Sequence, residues 1–286
     1  GLTGGKSVAT KEFTWQVEDN VAAAVNKVAL EGGDPVPNEI IRQEVKNVVE
    51  IHQEGVNISY TKQAAIGQLG AGGGAPTIVP APILGTQPVT GEIPHQLALK
   101  INQIGRDVEL SFLSGVYAYP VDNVTERQTR GVLTAIDTHA VVFATSLRDS
   151  LNAMLIGMYE NEFNVAPLIQ PVIFVNGTVK TQLSNEYSNN LGLADRSRTI
   201  GGVNVETIVT DFGTFGVVLD RYMPSDQLAL LDMSVIEPCF LPIPGKGHFF
   251  TEPLAKTGAY DIFQIYGEIG LEYGPEQFHG KITSIT

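Results

Sequence analysis

Alternating apolar and polar residues mark the first long element of the chain. The segment KEFTWQVEDN (11–20) has the alternation of a half-buried strand, and its apolar side consists of Phe13, Trp15 and Val17. A second strand region runs from 44 to 60, and the Gly/Pro-rich segment EGGDPVPNE (31–39) between the two is typical of a loop. Two strand regions around a loop predict a long hairpin. Because a hairpin alone is marginally stable, we expect another domain or another chain to cover it.

Apolar spacing then changes from two residues to three and four. After a Pro/Gly-rich segment that predicts a linker (68–91), the spacing from Pro94 to Gly115 predicts a long helix. Its apolar stripe consists of Leu97, Ile101, Ile104, Val108 and Phe112.

The second half of the chain mixes short helices and strands. The pattern predicts a helix over 147–159 capped by Ser146, a buried strand PVIFV (171–175), a short helix around 179–186 and a polar loop over 185–199. Further strands are predicted at 203–209, 215–219, 228–231 and 235–240. A last long strand has on one side Ile265, Gly267, Ile269, Leu271 and Tyr273. This order of elements indicates the α+β class.

Composition suggests that other subunits cover part of the surface. Of 286 residues, 43% are hydrophobic and only 17% are charged. The net charge is −13, and no cluster of Lys and Arg is present, which argues against tight duplex binding. An acidic chain is still compatible with enclosing nucleic acid without adhering to it.

Cysteine content and hydropathy exclude two classes of protein. Cys239 is the only cysteine, so no intrachain disulfide can form, and we expect it to be a small buried apolar residue. No apolar run approaches the ~18 residues of a membrane span, and we expect no membrane contact. The chain does not begin with Met, which raises the hypothesis of a processed N-terminus.

The opening GLTGGKS (1–7) has the appearance of a phosphate-binding loop. Such a loop needs four residues between its first glycine and the Gly-Lys-Ser end, and a helix must follow it. Here Gly1 leaves only three residues before Gly5, and a strand pattern follows. The segment therefore does not fit nucleotide binding, and we expect its glycines to let an extended arm bend.

Candidate catalytic and metal-binding groups are isolated in the sequence. We expect hydrogen-bonded or surface histidines rather than metal ligands, because the five are scattered: His52, His95, His139, His248 and His279. Asp220, Arg221 and Glu162 could serve in a catalytic site, but solvated or salt-bridged roles are the expectation. We therefore expect no enzymatic activity, no cofactor and no metal.

Two terminal segments carry a resemblance to a known family. GGKSVATKEFTWQ near the start and EPLAKTGAYDIFQIYGEIGLEYGPEQFHG near the end resemble one subfamily of tailed-phage major capsid proteins of the Hong Kong 97 type. The order of elements fits the same family. Ala259, Tyr260 and Asp261 stand where the subfamily has an acidic residue after Gly258, and the linker is longer than in the family.

The resemblance implies an α+β fold of the HK97-like major capsid type. Its expected parts are an N-terminal arm (1–10), an extended β-hairpin loop (11–60), a peripheral domain with linker and spine helix (61–133, the helix at 94–115), an α/β axial domain (134–241) and a return to the peripheral domain (242–286).

The resemblance also implies a structural protein that self-assembles into hexamers and pentamers of an icosahedral shell. The shell would enclose the DNA genome without sequence-specific binding, in a virion assembled in the host bacterial cytoplasm. Portal, scaffold and decoration proteins are candidate partners. The hairpin of one subunit would lie over a neighbour's spine helix, with candidate inter-subunit contacts at Lys6, Phe13, Trp15, Val17, Arg42, Lys46, Arg106 and Glu109. Some relatives cross-link covalently, and the loop-side candidates here would be Lys27 and Lys46.

Two alternatives stay open on the sequence. An encapsulin-like nanocompartment shell would share the fold but house enzymes, and the EPLAKTG segment argues against it. A phosphate-binding enzyme that starts at GLTGGKS belongs to a different class of protein.

Overall fold

A computed structural model describes residues 4–18, 25, 28, 31–34, 39–64, 92–160, 168–191 and 206–285. The strands are β1 (Lys6–Ser7), β2 (Glu12–Glu18), β3 (Arg42–Val48), β4 (Glu50–Ser59), β5 (Ala140–Val142), β6 (Pro171–Val175), β7 (Thr207–Thr210), β8 (Gly213–Leu219), β9 (Leu228–Asp232), β10 (Glu237–Phe240), β11 (Phe249–Pro253), β12 (Tyr260–Glu272) and β13 (Gly280–Thr283). The helices are α1 (Tyr60–Ala64), α2 (Glu92–Ser114), α3 (Val132–Ala135), α4 (Leu147–Glu160) and α5 (Gly177–Leu191), with a 3-10 turn at Glu276–Phe278. The predicted linker (68–91), Lys27, Glu162 and the segment 192–205 lie outside the described residues.

The long strand β12 organises a five-stranded sheet. Strand β12 pairs with β10, β11 and β4, and β10 also pairs with β1. The antiparallel ladder between β4 and β12 extends from Tyr260↔Ser59 to Ile269↔Glu50. Helix α2 packs on this sheet, where the apolar cluster consists of Ile104, Val108, Phe240, Ile265 and Ile269. Burial of this face fixes the spine helix against the final strand.

A six-stranded mixed sheet forms the second layer of the molecule. Its order is β5-β13-β9-β6-β8-β7, with parallel pairs β13–β5 and β6–β8. Strand β9 (LALLD) is buried along its whole length, as expected for a central strand. Helices α4 and α5 contribute to its core, which includes Leu151, Met154, Ile173, Val179 and Leu183. The two sheets and their helices confirm the predicted α+β class.

The predicted hairpin is shorter than the sequence indicates. Within the described residues, β2 and β3 form it, in register from Glu12↔Val48 to Glu18↔Arg42. The second strand region, predicted as one strand over 44–60, is two strands separated at Val49, and the second of them belongs to the five-stranded sheet. Val48 and Val49 are both fully buried, which interrupts the alternation and marks the change of sheet.

The predicted helices are confirmed, with two differences. Helix α2 spans 92–114 and α4 spans 147–160, each within two residues of the prediction. Ile101, placed in the apolar stripe, is instead exposed, and Leu113 is buried. Helix α5 continues to Leu191, so the first part of the predicted polar loop (185–199) is helical. Polar residues on an exposed helix face give no signal that separates them from a loop.

The final strand is buried on both faces, whereas alternation predicts one polar face. Glu268 is only 7% exposed. Two hydrogen bonds make its burial tolerable: Arg127 Nη2 donates to its Oε2 at 3.0 Å, and Tyr266 Oη donates to its Oε1 at 2.8 Å. Burial, followed by the hydrogen bond to Glu268, raises the pKa of Tyr266 to about 12. A paired charge thus replaces an apolar residue inside the sheet.

Candidate subunit interface

The base of the hairpin is anchored by its apolar face within its own chain. Phe13, Trp15 and Val17 are each 9% exposed or less. Trp15 Nε1 donates to Gly274 O at 3.1 Å, and its ring meets Tyr273 edge-on with centroids 4.9 Å apart. The same chain thus encloses most of these three side chains, and their contact with a neighbouring subunit stays a prediction.

Lys46 lies on the opposite strand of the hairpin and is engaged by Glu12. Its Nζ is 3.0 Å from Glu12 Oε1, and Tyr117 Oη donates to the same oxygen at 2.6 Å. The Tyr117 hydrogen bond, with a smaller effect from Lys46, lowers the pKa of Glu12. The Lys46 side chain is 58% exposed, so this network ties the hairpin to the segment after α2 while one side faces outward.

The hairpin becomes more exposed with distance from its base. Arg42 Nε lies 2.5 Å from Glu18 Oε1, and both side chains are more than half exposed. Ile40 and Ile41, the two residues before Arg42, are 54% and 75% exposed. Exposed isoleucines beside a two-stranded ribbon are typical of a surface that another molecule covers.

The N-terminal arm is held by its own sheet. Strand β1 pairs in parallel with β10, Lys6 opposite Cys239, and Lys6 Nζ lies 2.9 Å from Glu272 Oε2. The hydrogen bond to Glu272 raises the pKa of Lys6. Gly5 has φ +92°, and a Cβ there would lie 2.3 Å from Pro238 O. Lys6 and Ser7 therefore form an edge strand rather than the entrance to a helix, which removes the structural basis for phosphate binding.

Arg106 and Glu109 lie on the spine helix beside the six-stranded sheet. Burial, with a further effect of Asp220, raises the pKa of Glu109. Asp220 is 8% exposed and accepts from Tyr222 N at 2.8 Å, so it is buried rather than solvated or salt-bridged as the sequence predicts. A cavity of about 330 Å³ separates this helix from the sheet, and its lining includes Val108, Glu109, Phe112, Phe174, Asp220 and Leu231. Arg106 and Arg221 lie in the adjoining depression.

The outer side of the spine helix carries apolar residues that its own chain leaves open. Leu99 and Leu110, which lie on the same side of the helix, are each 48% exposed. Together with the hairpin isoleucines they give the chain two separate apolar surfaces on elongated elements. Such surfaces are typical of protein–protein contacts.

The EPLAKTG segment (252–258) begins at the end of β11 and continues as an exposed loop, in which Lys256 contacts two residues outside the segment. Lys256 Nζ lies 2.5 Å from Asp261 Oδ1 and 5.5 Å from the centroid of the Tyr60 ring. The hydrogen bond to Asp261 raises the pKa of Lys256. Asp261 thus provides an acidic partner inside the segment that departs from the subfamily pattern.

Asn47 is a structural residue that the sequence analysis misses. Its Nδ2 donates to Arg130 O at 3.1 Å and Leu271 O at 2.7 Å, and its Oδ1 accepts from Val48 N at 2.9 Å and Arg130 N at 2.8 Å. The side chain is fully buried, so it satisfies backbone groups at the junction of hairpin, sheet and loop. An Asn next to the consecutive valines Val48 and Val49 is the only signal in the sequence.

The described residues carry no assembled catalytic chemistry. Within them, no group of three or more His, Cys, Asp or Glu side chains could hold a metal ion. Cys239 is fully buried as predicted, and its burial raises the pKa of the thiol to about 12. No helix in this part of the chain is long and apolar enough to cross a membrane.

The comparisons with known proteins agree with this architecture. The chain resembles the capsid subunit of cyanophage A-1(L), with a TM-score of 0.66 and 11% identity over 100% of this chain and 92% of that one. It resembles the capsid subunit of a native GTA particle, with a TM-score of 0.60 and 11% identity over 98% and 87%. It also resembles the SrpI encapsulin of Synechococcus elongatus PCC 7942, with a TM-score of 0.56 and 10% identity over 98% and 85%. No curated protein matches the sequence.

At these identities the structural likeness establishes the fold, which is the HK97-like fold of capsid subunits. The family model for the SU10 major capsid protein matches residues 1–286, the whole length of the chain. The chain therefore belongs to the SU10 major capsid protein family, and its role is that of a structural, non-enzymatic subunit of a capsid.

Proposed function

We propose that the shell built by this chain is the icosahedral head of a tailed phage and encloses its DNA genome. The family match along the whole chain carries this proposal. The net charge of −13 supports it, because an acidic chain can enclose nucleic acid without adhering to it. Assembly in the host bacterial cytoplasm, with portal, scaffold and decoration proteins as partners, belongs to the same proposal. We also propose that the chain is a member of the subfamily with the GGK…W opening and the EPLAKTG-like segment.

The content of purified particles tests this function. Particles from the producing cells are treated with nuclease, and the protected nucleic acid is extracted and sized. We expect long DNA of uniform length. Particles that contain one folded protein cargo and no protected DNA would contradict the genome-enclosing role.

An encapsulin-like nanocompartment is the second candidate, and the likeness to the SrpI encapsulin favours it specifically. The two candidates share a fold, so architecture alone does not separate them. The same nuclease experiment does, because protein cargo is the result expected of a nanocompartment.

The division into parts is proposed with one refinement. The arm (1–10), hairpin loop (11–60), peripheral domain (61–133 and 242–286) and axial domain (134–241) follow the family pattern. Because β4 pairs with β12 along ten residue pairs, we assign 50–59 to the peripheral sheet and keep the hairpin loop to the preceding segment.

We propose that the exposed end of the hairpin lies on the spine helix of a neighbouring subunit. Ile40 and Ile41 supply the apolar surface on the hairpin, and Leu99 and Leu110 supply it on the helix. Arg42 and Lys46 flank the first surface, while Arg106 and Glu109 flank the second. Lys6 keeps an exposed side and stays a candidate contact. A head-to-tail contact of this kind closes into rings when the rotation between subunits permits.

A charge placed in the apolar surface tests this contact. Ile41→Glu puts a carboxylate into the proposed interface, and we expect assembly to fall at least tenfold in sedimentation or light scattering, because an unpaired buried charge is unfavourable. Thr251→Glu adds the same charge at an exposed position of β11, outside the hairpin, and serves as the matched control. Equal assembly of the two variants would contradict the contact.

A further inference from the structure

Three parts of the fold meet at the turn that follows β12. Tyr273 O and Gly274 O belong to this turn, and Trp15 of the hairpin donates to the second of them. His279, just before β13, contacts the first: its Nε2 lies 2.7 Å from Tyr273 O. Its other ring nitrogen, Nδ1, accepts from Asp232 N at the end of β9, at 3.2 Å. One imidazole therefore joins the five-stranded sheet to the six-stranded sheet, next to the anchor of the hairpin.

These two hydrogen bonds define the protonation state of the ring. A carbonyl oxygen can only accept, so Nε2 carries a hydrogen, and a backbone N–H can only donate, so Nδ1 carries none. His279 is thus neutral in this arrangement. A proton added at Nδ1 would remove the acceptor and set two N–H groups against each other. The side chain is 0% exposed, so water cannot take over either bond.

Burial opposes protonation of the ring, and the negative charges around it, which favour protonation, do not outweigh that effect. Burial lowers the pKa of His279, against the opposing effects of the Tyr273 hydrogen bond and of Asp232 and Glu276. Although burial by itself raises it, hydrogen bonds from Ser234, Ile169 and Gln170 keep the pKa of Asp232 below its ordinary value. Asp232 therefore stays ionised while His279 titrates.

A second histidine lies close by, in the segment before β5. His139 is 6% exposed, and its carbonyl accepts from Lys281 N at 3.0 Å, two residues after His279. Burial lowers its pKa as well, against the opposing charge of Glu276. The junction therefore contains two histidines that the folded state keeps neutral.

We propose that His279 with its partners Tyr273 and Asp232 forms an acid-sensitive latch that holds the two sheets and the hairpin in one arrangement at neutral pH and releases it on acidification. The structural role in the capsid does not require this property. The latch predicts that a shell subunit changes the angle between its two sheets more easily in mild acid.

The sign of the pH dependence follows from the lowered pKa. The unfolded chain binds a proton at each histidine near pH 6.5, and the folded chain does so only at lower pH. The stability that the latch supplies is complete above pH 6.5 and is lost as the pH falls through the folded-state pKa. For each proton taken up on unfolding, the ratio of folded to unfolded chain falls about tenfold per pH unit in this window.

His279→Gln tests the latch, because an amide offers a donor and an acceptor but does not titrate. Urea unfolding of the purified full-length chain is measured at pH 7.5, 6.5 and 5.5. We expect the slope of log K against pH to fall by about one proton relative to the unaltered chain, with the His139 contribution retained. His95→Gln, at an exposed position on the spine helix, is the matched control and should leave the slope unchanged. An unchanged slope in His279→Gln, or an equal reduction in both variants, overturns the proposal.

Hydrogen exchange on the unaltered chain tests the same latch without a substitution. After correction for intrinsic rates, peptides covering 228–234 and 269–283 should lose protection between pH 7.5 and 5.5 by at least fivefold more than a spine-helix peptide covering 97–113. Equal losses in all three peptides contradict a local latch, even where His279→Gln does not fold.

Discussion

Gly4 and Gly5 have the same backbone conformation but differ in how closely other atoms surround them. Both have positive φ, +88° and +92°. A Cβ at Gly5 would meet Pro238 O at 2.3 Å, whereas a Cβ at Gly4 would have no neighbour within 4 Å. In the sequence this glycine pair resembles part of a phosphate-binding loop. In the structure it allows the N-terminal arm to bend so that β1 pairs with β10.

Alanine substitutions separate backbone strain from close packing. Gly4→Ala should lower the free energy of unfolding by about 1 kcal/mol, from backbone strain alone. Gly5→Ala should cost about 2–4 kcal/mol, because the arm must also move away from β10. Urea denaturation measures both values. Equal costs would show that the Pro238 contact does not restrain the arm.

Element boundaries show what periodicity can and cannot predict. Phe13, Trp15 and Val17 follow a clear alternation, and the strand there is confirmed. The break at Val49 is not predictable, since consecutive valines suit one continuous strand as well as two. The partner of a strand is a property of the tertiary fold, so the pairing of β4 with β12 could not be derived from spacing.

Two side chains cap the N-terminus of α4, one from the residue just before the helix and one from α5. Ser146 Oγ accepts from Asp149 N at 3.0 Å, as the sequence predicts. Glu186 of α5 adds a second cap, since its two carboxylate oxygens accept from Leu147 N and Arg148 N, each at 3.0 Å. A carboxylate is favoured there because the N-terminus of a helix carries partial positive charge.

Removal of the distant cap should destabilise the packing of α4 and α5 on the six-stranded sheet. Glu186→Ala leaves two N–H groups of α4 without their acceptor and should cost about 1–2 kcal/mol. Asn185→Ala, at the exposed neighbouring position of α5, is the control and should change stability by less than about 0.5 kcal/mol. Thermal unfolding by circular dichroism measures both. A loss for Asn185→Ala as large as that for Glu186→Ala would contradict the capping role.

At the scale of the whole molecule, burial could be predicted from the sequence, but the chain that provides it could not. Phe13, Trp15 and Val17 are expected against a neighbour, and in the structure a core cluster of their own subunit includes them. Alternation of apolar and polar residues predicts that one face of a strand is buried, but it does not predict which chain buries that face. The surfaces left for a neighbour, such as Ile41 and Leu110, follow no periodic pattern, so only the three-dimensional structure reveals them.

Electron microscopy of particles formed by the purified chain tests the central claim most directly. An HK97-like subunit with an exposed hairpin end and an open spine helix should form closed icosahedral shells whose surface shows clusters of five and six subunits. In a three-dimensional map, the hairpin of each subunit should lie across the spine helix of the next. A chain that stays monomeric in micrographs and in light scattering, at the concentrations where relatives form shells, would contradict the account.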